Sequence, residues 1–384
     1  MATEFPVTPH FSRPNWAQID LDALRFNARN LARAVAPARL IAVVKANAYG
    51  HGAPQIARVL QEMPEVAMLA VAGVDEGQTL RENEIEAPIL LLSAILAEEA
   101  EAVVDLDLTP TVWTIEVALA LDAAARKRKF RRKIHFKVDS GMNRLGAHWC
   151  DAARDFAAIS QLENLEIEAV YTHFARADDE SEFSALQLRR FNEFCAQIDL
   201  ESGVLRHVSN SAGALRFEKA RFDLVRPGIA LYGAHPCREL APNIELRPVM
   251  TWRARVTALK NVAKGESVSY GSTWTAPRDS VIATLPAGYA DGYLRSLSNC
   301  GEVLIGGKIA PVVGRVTMDQ ILVDVTGLEA KIGDIATLWG EGLPVESVAS
   351  RAGTISYELL CAVAARVPRV YINEKVGSSA ARRV

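Results

Sequence analysis

Short apolar runs alternate with helix-period segments from residue 16 to about residue 243. Eight of these runs have the length and composition of β-strands, and each is followed by a segment of helical period. Their ends lie at Lys45, Gly73, Ser93, Trp113, Asp139, His173, Asn210 and Arg226. Among the intervening segments, residues 21–35 repeat their apolar positions every three or four residues, as an amphipathic helix does. The pattern therefore predicts eight strand–helix units in succession.

The predicted strands are apolar on both faces, which is typical of a parallel sheet covered by helices. Eight such units within residues 16–243 match the usual length of a closed (β/α)8 barrel of the TIM type. An open, doubly wound sheet is the alternative, but no GxGxxG motif follows the first strand. We therefore predict an α/β fold whose first large domain is a barrel.

The pattern changes in residues 244–384, where polar and apolar positions alternate in runs such as QILVDVTG. Turn signals such as IGGK and KIGD separate these runs, so the pattern predicts antiparallel strands and hairpins. Two helices are expected near residues 345–352 and 355–365. The sequence therefore predicts a barrel followed by a C-terminal, mostly β domain.

The composition excludes several classes of function. The chain has 384 residues, of which 49% are hydrophobic, so it can bury a large core. Its net charge of −3 leaves no basic excess for nucleic acid, and no apolar run reaches the roughly 18 residues of a membrane span. The five cysteines form no CxxC pair, and the N-terminus lacks the pattern of a secretory signal. We therefore expect a cytoplasmic protein that binds neither nucleic acid nor a membrane.

The active sites of such barrels lie at the C-terminal ends of the strands, so polar residues at those ends are candidates. Lys45 follows the first strand and precedes Gly50 and Gly52, where partial burial would give a reactive amine. A lysine that extends its charge from a strand end into solvent explains the same stretch. Strand five adds Lys137 and Arg144 to the same rim.

The last three strand ends carry further candidates. His173 follows strand six, although a histidine packed in the core is the simpler interpretation. Asn210 and Ser211 open a helix after strand seven, which suits a phosphate, although an ordinary N-cap explains the pair equally well. Arg226 and Gly228 follow in strand eight, where Gly228 allows a ligand to approach the backbone.

Strand ends seven and eight form the usual phosphate site of these barrels. A phosphate at that corner, together with a lysine on strand one, indicates pyridoxal 5′-phosphate held as a Schiff base. The seven histidines are scattered, and no HxxxH or HxH motif has a carboxylate nearby, so we expect no metal.

Motifs spread along the chain resemble those of the bacterial alanine racemases. They are AVVKANAYGHG, KVDSGMNRLG, YTHFA, HVSNSAGAL, RPGIALYG, VSYGSTW, AGYADGY, GRVTMDQ and ISYELL. They follow the family's order between residues 16 and 371, and several are at least six residues long, so chance does not explain the match. The resemblance implies the same barrel and β domain, with residues 1–15 joining the latter.

The resemblance also implies roles in cofactor binding. Lys45 corresponds to the lysine that binds pyridoxal phosphate covalently, and Arg226 to the residue that faces its ring nitrogen. The other matching cofactor-binding positions are Tyr49, His173, Asn210, Ser211, Gly228, Ile229 and Tyr357. A cation at the ring nitrogen keeps that nitrogen unprotonated, which makes the ring a weaker electron sink and favours racemisation over side reactions.

Inversion of an α-carbon requires one base on each face of the substrate. The resemblance makes Lys45 one base and Tyr270, contributed by the partner subunit, the other. His173 and Arg226 would lower the high pKa of that tyrosine. The expected active species is therefore a homodimer with shared active sites.

Arg144 and Met318 match positions that bind the substrate carboxylate. Lys137 matches a lysine that is often carbamylated, and its like-charge neighbour Arg144 gives the modification a physical motive. An unmodified strand-end lysine is the alternative. Tyr270, Tyr289, Met318 and Tyr357 would crowd the pocket, so only a small substrate should fit.

We therefore expect a pyridoxal-phosphate-dependent racemase that interconverts L- and D-alanine and supplies D-alanine for peptidoglycan. A racemase of broader specificity would share this chemistry, but such relatives usually look secreted. A non-enzymatic cofactor carrier would resemble the barrel alone. An amino-acid decarboxylase would place a carboxylate where this chain has Arg226.

Overall fold

The structure is a computed structural model that describes residues 13–179, 182–198, 203–237 and 244–374. Residues 1–12 of the N-terminal segment expected to join the C-terminal domain lie outside these ranges. The chain forms two compact units. The barrel unit runs Asp22–Arg247, and the β unit contains the described residues up to Leu21 and from Pro248 onward.

The first strand, β1 (Asn15–Asp20), belongs to the β unit, and the strands and helices of the barrel unit follow it. The strands are β2 (Arg39–Val43), β3 (Val66–Val71), β4 (Ile89–Leu91), β5 (Leu108–Thr109), β6 (Thr111–Val112), β7 (Arg132–Asp139), β8 (Ala147–His148), β9 (Leu165–Tyr171), β10 (Leu205–Asn210) and β11 (Leu224–Arg226). The helices are α1 (Leu21–Val35), α2 (Lys45–Tyr49), α3 (Ala53–Gln61), α4 (Val74–Glu82), α5 (Ala100–Asp105), α6 (Ile115–Arg128), α7 (Ala152–Ser160), α8 (Glu182–Gln197) and α9 (Ser211–Arg216).

Parallel strands close into a ring in the order β5–β4–β3–β2–β11–β10–β9–β7–β6, and β8 pairs with β7 outside this path. Pro110, which has no N–H to donate, separates β5 from β6, so the two short strands occupy one position in the ring. The ring therefore has eight positions, and the predicted (β/α)8 barrel is confirmed. Each of the eight predicted strand ends lies within two residues of an observed one.

The interior of the barrel is more polar than the sequence pattern predicts. Leu24, Leu31 and Val35 of α1 are buried, as their helical spacing requires. Strands β7 and β10, however, also bury His135 and His207. The expectation that every barrel strand is apolar on both faces is wrong for these strands.

The β unit contains three sheets and two helices in its described part. Its further strands are β12 (Met250–Arg255), β13 (Ala258–Val262), β14 (Ser267–Val268), β15 (Trp274–Thr275), β16 (Ser280–Leu285), β17 (Glu302–Ile305), β18 (Lys308–Pro311), β19 (Ile321–Asp324), β20 (Ile335–Trp339) and β21 (Arg369–Ile372), and its helices are α10 (Val345–Ala352) and α11 (Ser356–Ala362). The sheets have the orders β18–β17–β20–β12–β1–β21, β13–β16–β19 and β14–β15. The predicted, mostly β C-terminal domain is confirmed.

β1 joins the largest of these sheets. It pairs antiparallel with β12 and parallel with β21, so chain segments far apart in sequence meet in one sheet. Trp252 and Trp339 pack edge to face at 4.5 Å between ring centroids, and Tyr293 stacks on Trp339. All three rings are fully buried and form the aromatic core of the unit.

The helices of the described residues are all too short or too polar to cross a bilayer.

Candidate active site

The predicted site residues divide between the two units. Those of the barrel unit are Lys45, Tyr49, Lys137, Arg144, His173, Asn210, Ser211, Arg226, Gly228 and Ile229. Those of the β unit are Tyr270, Met318 and Tyr357. Because the barrel strands run parallel, the residues at or just beyond their C-terminal ends share one rim, which we call the barrel rim.

Lys45 is followed by a left-handed turn. Ala46, Asn47, Ala48 and Tyr49 all have φ between 52° and 54°, a region that costs a non-glycine residue about 1–2 kcal/mol. Two side chains hold this turn. Glu76 accepts hydrogen bonds from the backbone N–H groups of Ala46 (2.6 Å) and Ala72 (2.7 Å). The Asn47 side chain accepts one from the N–H of Ala53 (2.8 Å), so the turn is fixed at both ends.

The turn brings Tyr49 against Gly228. A Cβ atom at Gly228 would lie 2.3 Å from the Tyr49 hydroxyl oxygen, so only glycine fits. The Tyr49 ring also stacks on Tyr232, with 4.8 Å between the ring centroids. The approach of a ligand to the Gly228 backbone stays a prediction, and the structure places the Tyr49 hydroxyl beside this glycine.

The ends of β10 and β11 meet at the buried hydroxyl of Ser211. Its oxygen accepts hydrogen bonds from the backbone N–H groups of Gly228 (2.9 Å) and Ala230 (3.4 Å). Because both lone pairs are then used, the hydroxyl proton is directed away from these amides and can donate to an anion. Asn210 caps α9 by accepting from the N–H of Gly213 (2.9 Å), so the N-cap interpretation of this residue is confirmed.

Arg226 is buried at the end of β11, where several acceptors surround its guanidinium group. Nη2 donates to the carbonyls of Thr172 and Val208 (both 2.8 Å) and lies 3.1 Å from His173 Nδ1. Nη1 lies 2.5 Å from His207 Nδ1. Burial lowers the pKa of Arg226 to about 10, which still leaves it cationic at neutral pH.

Lys137 lies among several cations. Its side chain is buried, and burial, followed by the charges of Arg226 and Arg144, lowers its pKa to about 7. Asp139 opposes this shift. A substantial fraction of the Lys137 amine is therefore neutral and nucleophilic near pH 7.

His173 shares this cationic environment. Burial, followed by the charges of Arg226 and Lys137, lowers its pKa well below the usual value. Because an arginine can only donate, Nδ1 of His173 accepts and the neutral ring carries its proton on Nε2.

Two predicted residues of the β unit, Tyr270 and Met318, border a surface recess of about 620 Å³. Tyr270 begins a short 3-10 turn and is 74% exposed, and Met318 is 54% exposed. Tyr289 and Arg315 line the same recess, and Tyr357 lies half-buried in α11. Exposed aromatic and sulfur-containing side chains in one recess are typical of a surface that contacts another molecule.

Some residues that support the site from helices or from within strands were not singled out from the sequence. Glu76 belongs to no recognisable sequence motif, because its hydrogen bonds are with backbone N–H groups, which any residue type provides. His135 had a detectable signal, since Lys133, His135, Lys137 and Asp139 alternate along β7 and therefore share one face of the strand. In the described residues no group of three or more histidine, cysteine or acidic side chains is arranged to hold a metal ion.

Two family profiles match the chain. The profile described as "Alanine racemase, N-terminal domain" matches residues 19–236, and "Alanine racemase, C-terminal domain" matches residues 249–371. The alanine racemase of Halothermothrix orenii is 42% identical over 97% of this chain and 100% of its own length. That of Desulforamulus reducens is 44% identical over 94% of this chain and 99% of its own length.

Solved structures of alanine racemases are similar to this chain throughout. The Clostridium difficile 630 enzyme superposes with a TM-score of 0.88 at 37% identity, covering 94% of this chain and 96% of that one. The enzyme from D-cycloserine-producing Streptomyces lavendulae gives a TM-score of 0.89 at 35% identity, covering 95% of this chain and 98% of that one.

Replacement of Glu76 by leucine should destabilise the left-handed turn, because two backbone N–H groups lose a charged acceptor. We expect a loss of about 1–3 kcal/mol in the free energy of unfolding, measured by urea denaturation. Asp75→Asn is the matched control, since Asp75 lies beside Glu76 in the first turn of α4 and is exposed. An equal effect of the two substitutions would contradict the role of Glu76.

Proposed function

The chain belongs to the alanine racemase family, and from this premise we propose that it interconverts L- and D-alanine with Lys45 and Tyr270 as the two bases. The observation that carries the assignment is that one chain contains a candidate for each of the two bases. Lys45 lies at the rim of a barrel with an anion corner, and an exposed tyrosine lies in the second domain of the family.

We propose pyridoxal 5′-phosphate as the cofactor, because the residues of the barrel rim fit it. The Ser211 hydroxyl, the backbone at Gly228 and Ile229, and the Tyr49 hydroxyl would hold the phosphate. Asn210 and Tyr357 are the further phosphate-binding positions that we propose. When bound, the cofactor withdraws electrons from the α-carbon of an amino acid and makes its hydrogen acidic.

Arg226 is assigned to the ring nitrogen of the cofactor. A guanidinium can donate but cannot accept, so this nitrogen would remain unprotonated and the electron withdrawal would stay moderate. Moderate electron withdrawal favours return of the proton to the α-carbon over side reactions. His173 accepts from the same guanidinium and helps to keep it in place.

The two bases act on opposite faces of the α-carbon. Lys45 exchanges a proton at Nζ on one face, and the Tyr270 hydroxyl exchanges a proton on the other. Arg144 and the backbone at Met318 would bind the substrate carboxylate and fix the α-carbon between the bases. Tyr289 and Met318 line the same recess as Tyr270, and we propose that these side chains leave room only for a small substrate in the complete site.

We propose that the active species is a homodimer in which Tyr270 and Met318 complete the site of the partner subunit. The exposure of both side chains in the described β unit supports this assignment.

We propose that the enzyme works in the cytoplasm and supplies D-alanine for peptidoglycan. The cysteines Cys150, Cys195, Cys237, Cys300 and Cys361 are all free thiols, as in a reducing compartment.

Substitution of each base should have a different effect. Lys45→Ala should abolish racemisation and the absorbance of the lysine-bound cofactor. Tyr270→Phe should keep that absorbance but lose racemisation in both directions, because each direction needs one base to remove the proton and the other to return it. The test is rate measurement from both L- and D-alanine, with Tyr371→Phe in the same unit as the control. Full activity of Tyr270→Phe would contradict the two-base assignment.

Shared sites predict complementation between inactive subunits. Lys45→Ala and Tyr270→Phe chains, mixed in equal amounts and allowed to exchange, should form heterodimers with one intact site. Random exchange makes half of the dimers heterodimeric, so about one quarter of the wild-type activity should return. No recovery after exchange has been verified by native mass spectrometry would show that the sites are not shared.

Carbamylation of Lys137 should depend on pH. Only the neutral amine reacts with carbon dioxide, so the carbamate should increase as the pH rises through the lowered pKa of about 7. Labelling with ¹³C-bicarbonate and ¹³C NMR should show a carbamate signal that Lys137→Ala lacks. A signal that persists in this variant would assign the modification to another amine, and none in either protein would favour an unmodified lysine.

A further inference from the structure

A chain of hydrogen bonds leads from Arg226 through the barrel interior to a carboxylate near the surface. His207 accepts from Arg226 through Nδ1 (2.5 Å), and His207 Nε2 lies 2.9 Å from His135 Nδ1. His135 Nε2 in turn lies 3.2 Å from Glu168 Oε2. Both imidazoles are fully buried, whereas the Glu168 side chain is 20% exposed. Lys133, which is largely exposed, pairs with the other oxygen of Glu168 at 2.7 Å.

The chemistry of the end groups fixes the direction of this chain. An arginine has no acceptor, so His207 Nδ1 must accept and the neutral ring carries its proton on Nε2. That proton can be donated only to His135 Nδ1, so His135 also carries its proton on Nε2. The His135 proton then points at the Glu168 carboxylate, which accepts. Each bond therefore points from Arg226 towards Glu168, and neither ring can change tautomer alone without facing two donors or two acceptors.

The backbone places Glu168 for this contact. Ile134 pairs with Ile167, but the next residue of β7, His135, pairs with Ala169. Glu168 is the extra residue of β9 at this bulge, and a bulge redirects a side chain relative to the regular alternation of a strand. Such bulges are frequent next to active sites.

Arg226 needs a remote counter-charge. Among the described residues no carboxylate forms an ion pair with it, and its hydrogen-bond partners are backbone carbonyls and neutral imidazoles. The ring of Tyr171 lies below the guanidinium group, 5.0 Å from its centre, and stacks on His207. The first acidic group reached along the hydrogen-bond chain is Glu168.

The surroundings keep both imidazoles neutral. His207 faces Arg226, His135, Lys137 and His173, and burial followed by the charge of Arg226 lowers its pKa well below the usual value. His135 faces Glu168, Lys133 and Arg226, and burial lowers its pKa although Glu168 opposes the shift. His135 and Lys133 in turn hold the pKa of Glu168 down to about 2. Glu168 is therefore ionised at neutral pH.

We propose that Glu168 is a positioning residue for the racemisation site. Through His135 and His207 it fixes one tautomer of each ring, orients the Arg226 guanidinium as a pure donor and supplies its counter-charge from the far end of the chain. The assignment of Arg226 to the reaction rests on the proposed function, whereas the direction of the hydrogen-bond chain does not.

The test is ¹⁵N-histidine NMR of the protein with and without pyridoxal phosphate, combined with kinetics. His135 and His207, assigned by His135→Asn and His207→Asn, should appear as neutral Nε2–H tautomers from about pH 6 to pH 9. Glu168→Leu removes the final acceptor, so the His207 nitrogen shifts should change although this ring does not contact residue 168. The kcat for alanine should fall about tenfold, as for a lost charge-assisted hydrogen bond, with KM within about twofold of wild type.

Two further variants separate positioning from simple packing. Glu168→Gln keeps an acceptor of the same shape but loses the negative charge, so it should retain the His207 tautomer and recover only part of the kcat. Glu166→Leu, two residues earlier in β9, is the matched control and should change neither quantity.

A doubly protonated or Nδ1–H form of His207 in the wild-type protein would overturn the proposal. So would unchanged His207 shifts, or an unchanged kcat, in a folded Glu168→Leu protein. If that variant does not fold, the His207 tautomer in the wild-type titration and in the Glu168→Gln protein still tests the proposal. Failure of the proposed function would instead show as absent racemisation together with the expected tautomers.

Discussion

The burial of a guanidinium group at the end of β11 determines the polar organisation of the barrel interior. A cation removed from water is tolerated only where acceptors replace its hydration. Here carbonyls of Thr172 and Val208 and the imidazoles of His173 and His207 fill that role. The polar side chains of His207 in β10 and His173 just after β9 follow from this requirement, because both rings accept hydrogen bonds from Arg226. Burial lowers the pKa of Lys137 in the same surroundings, and the permanent charge of Arg226 lowers it further.

Around this cation the barrel rim uses backbone conformations that regular structure does not supply. The residues after Lys45 form a left-handed turn without glycine, held by Glu76 and Asn47. Gly228 has no side chain, which lets Tyr49 approach its backbone. Strain of this kind is retained where surrounding contacts determine it and where function needs a fixed geometry. Lys45 and the proposed phosphate site are thus positioned by residues that have no proposed part in proton transfer.

Much of this arrangement is visible in the sequence, because apolar runs, turn signals and strand-end polar residues are local features. The eight strand ends and the helices α10 and α11 were predicted within a few residues. The candidate residues at the rim were chosen because they lie at those strand ends. The left-handed turn was not predicted, since the Ala-Asn-Ala-Tyr stretch has no residue that requires positive φ. Nor was the bulge at Glu168, which exists only in the pairing of two strands. The motif matches named Tyr270 as a base, whereas the spacing of residues in the β unit gave no reason to choose it.

The most direct test of the racemase assignment is chiral analysis of amino acids incubated with the cofactor-loaded protein in deuterium oxide. Each base exchanges its proton with solvent, so inversion of L-alanine should yield D-alanine labelled at the α-carbon. The account predicts that this product forms much faster than the D-products of L-serine, L-lysine or L-arginine, because Tyr270, Tyr289 and Met318 are proposed to crowd the substrate side chain. Absence of deuterium incorporation into alanine, despite intact covalent attachment of the cofactor, would contradict it.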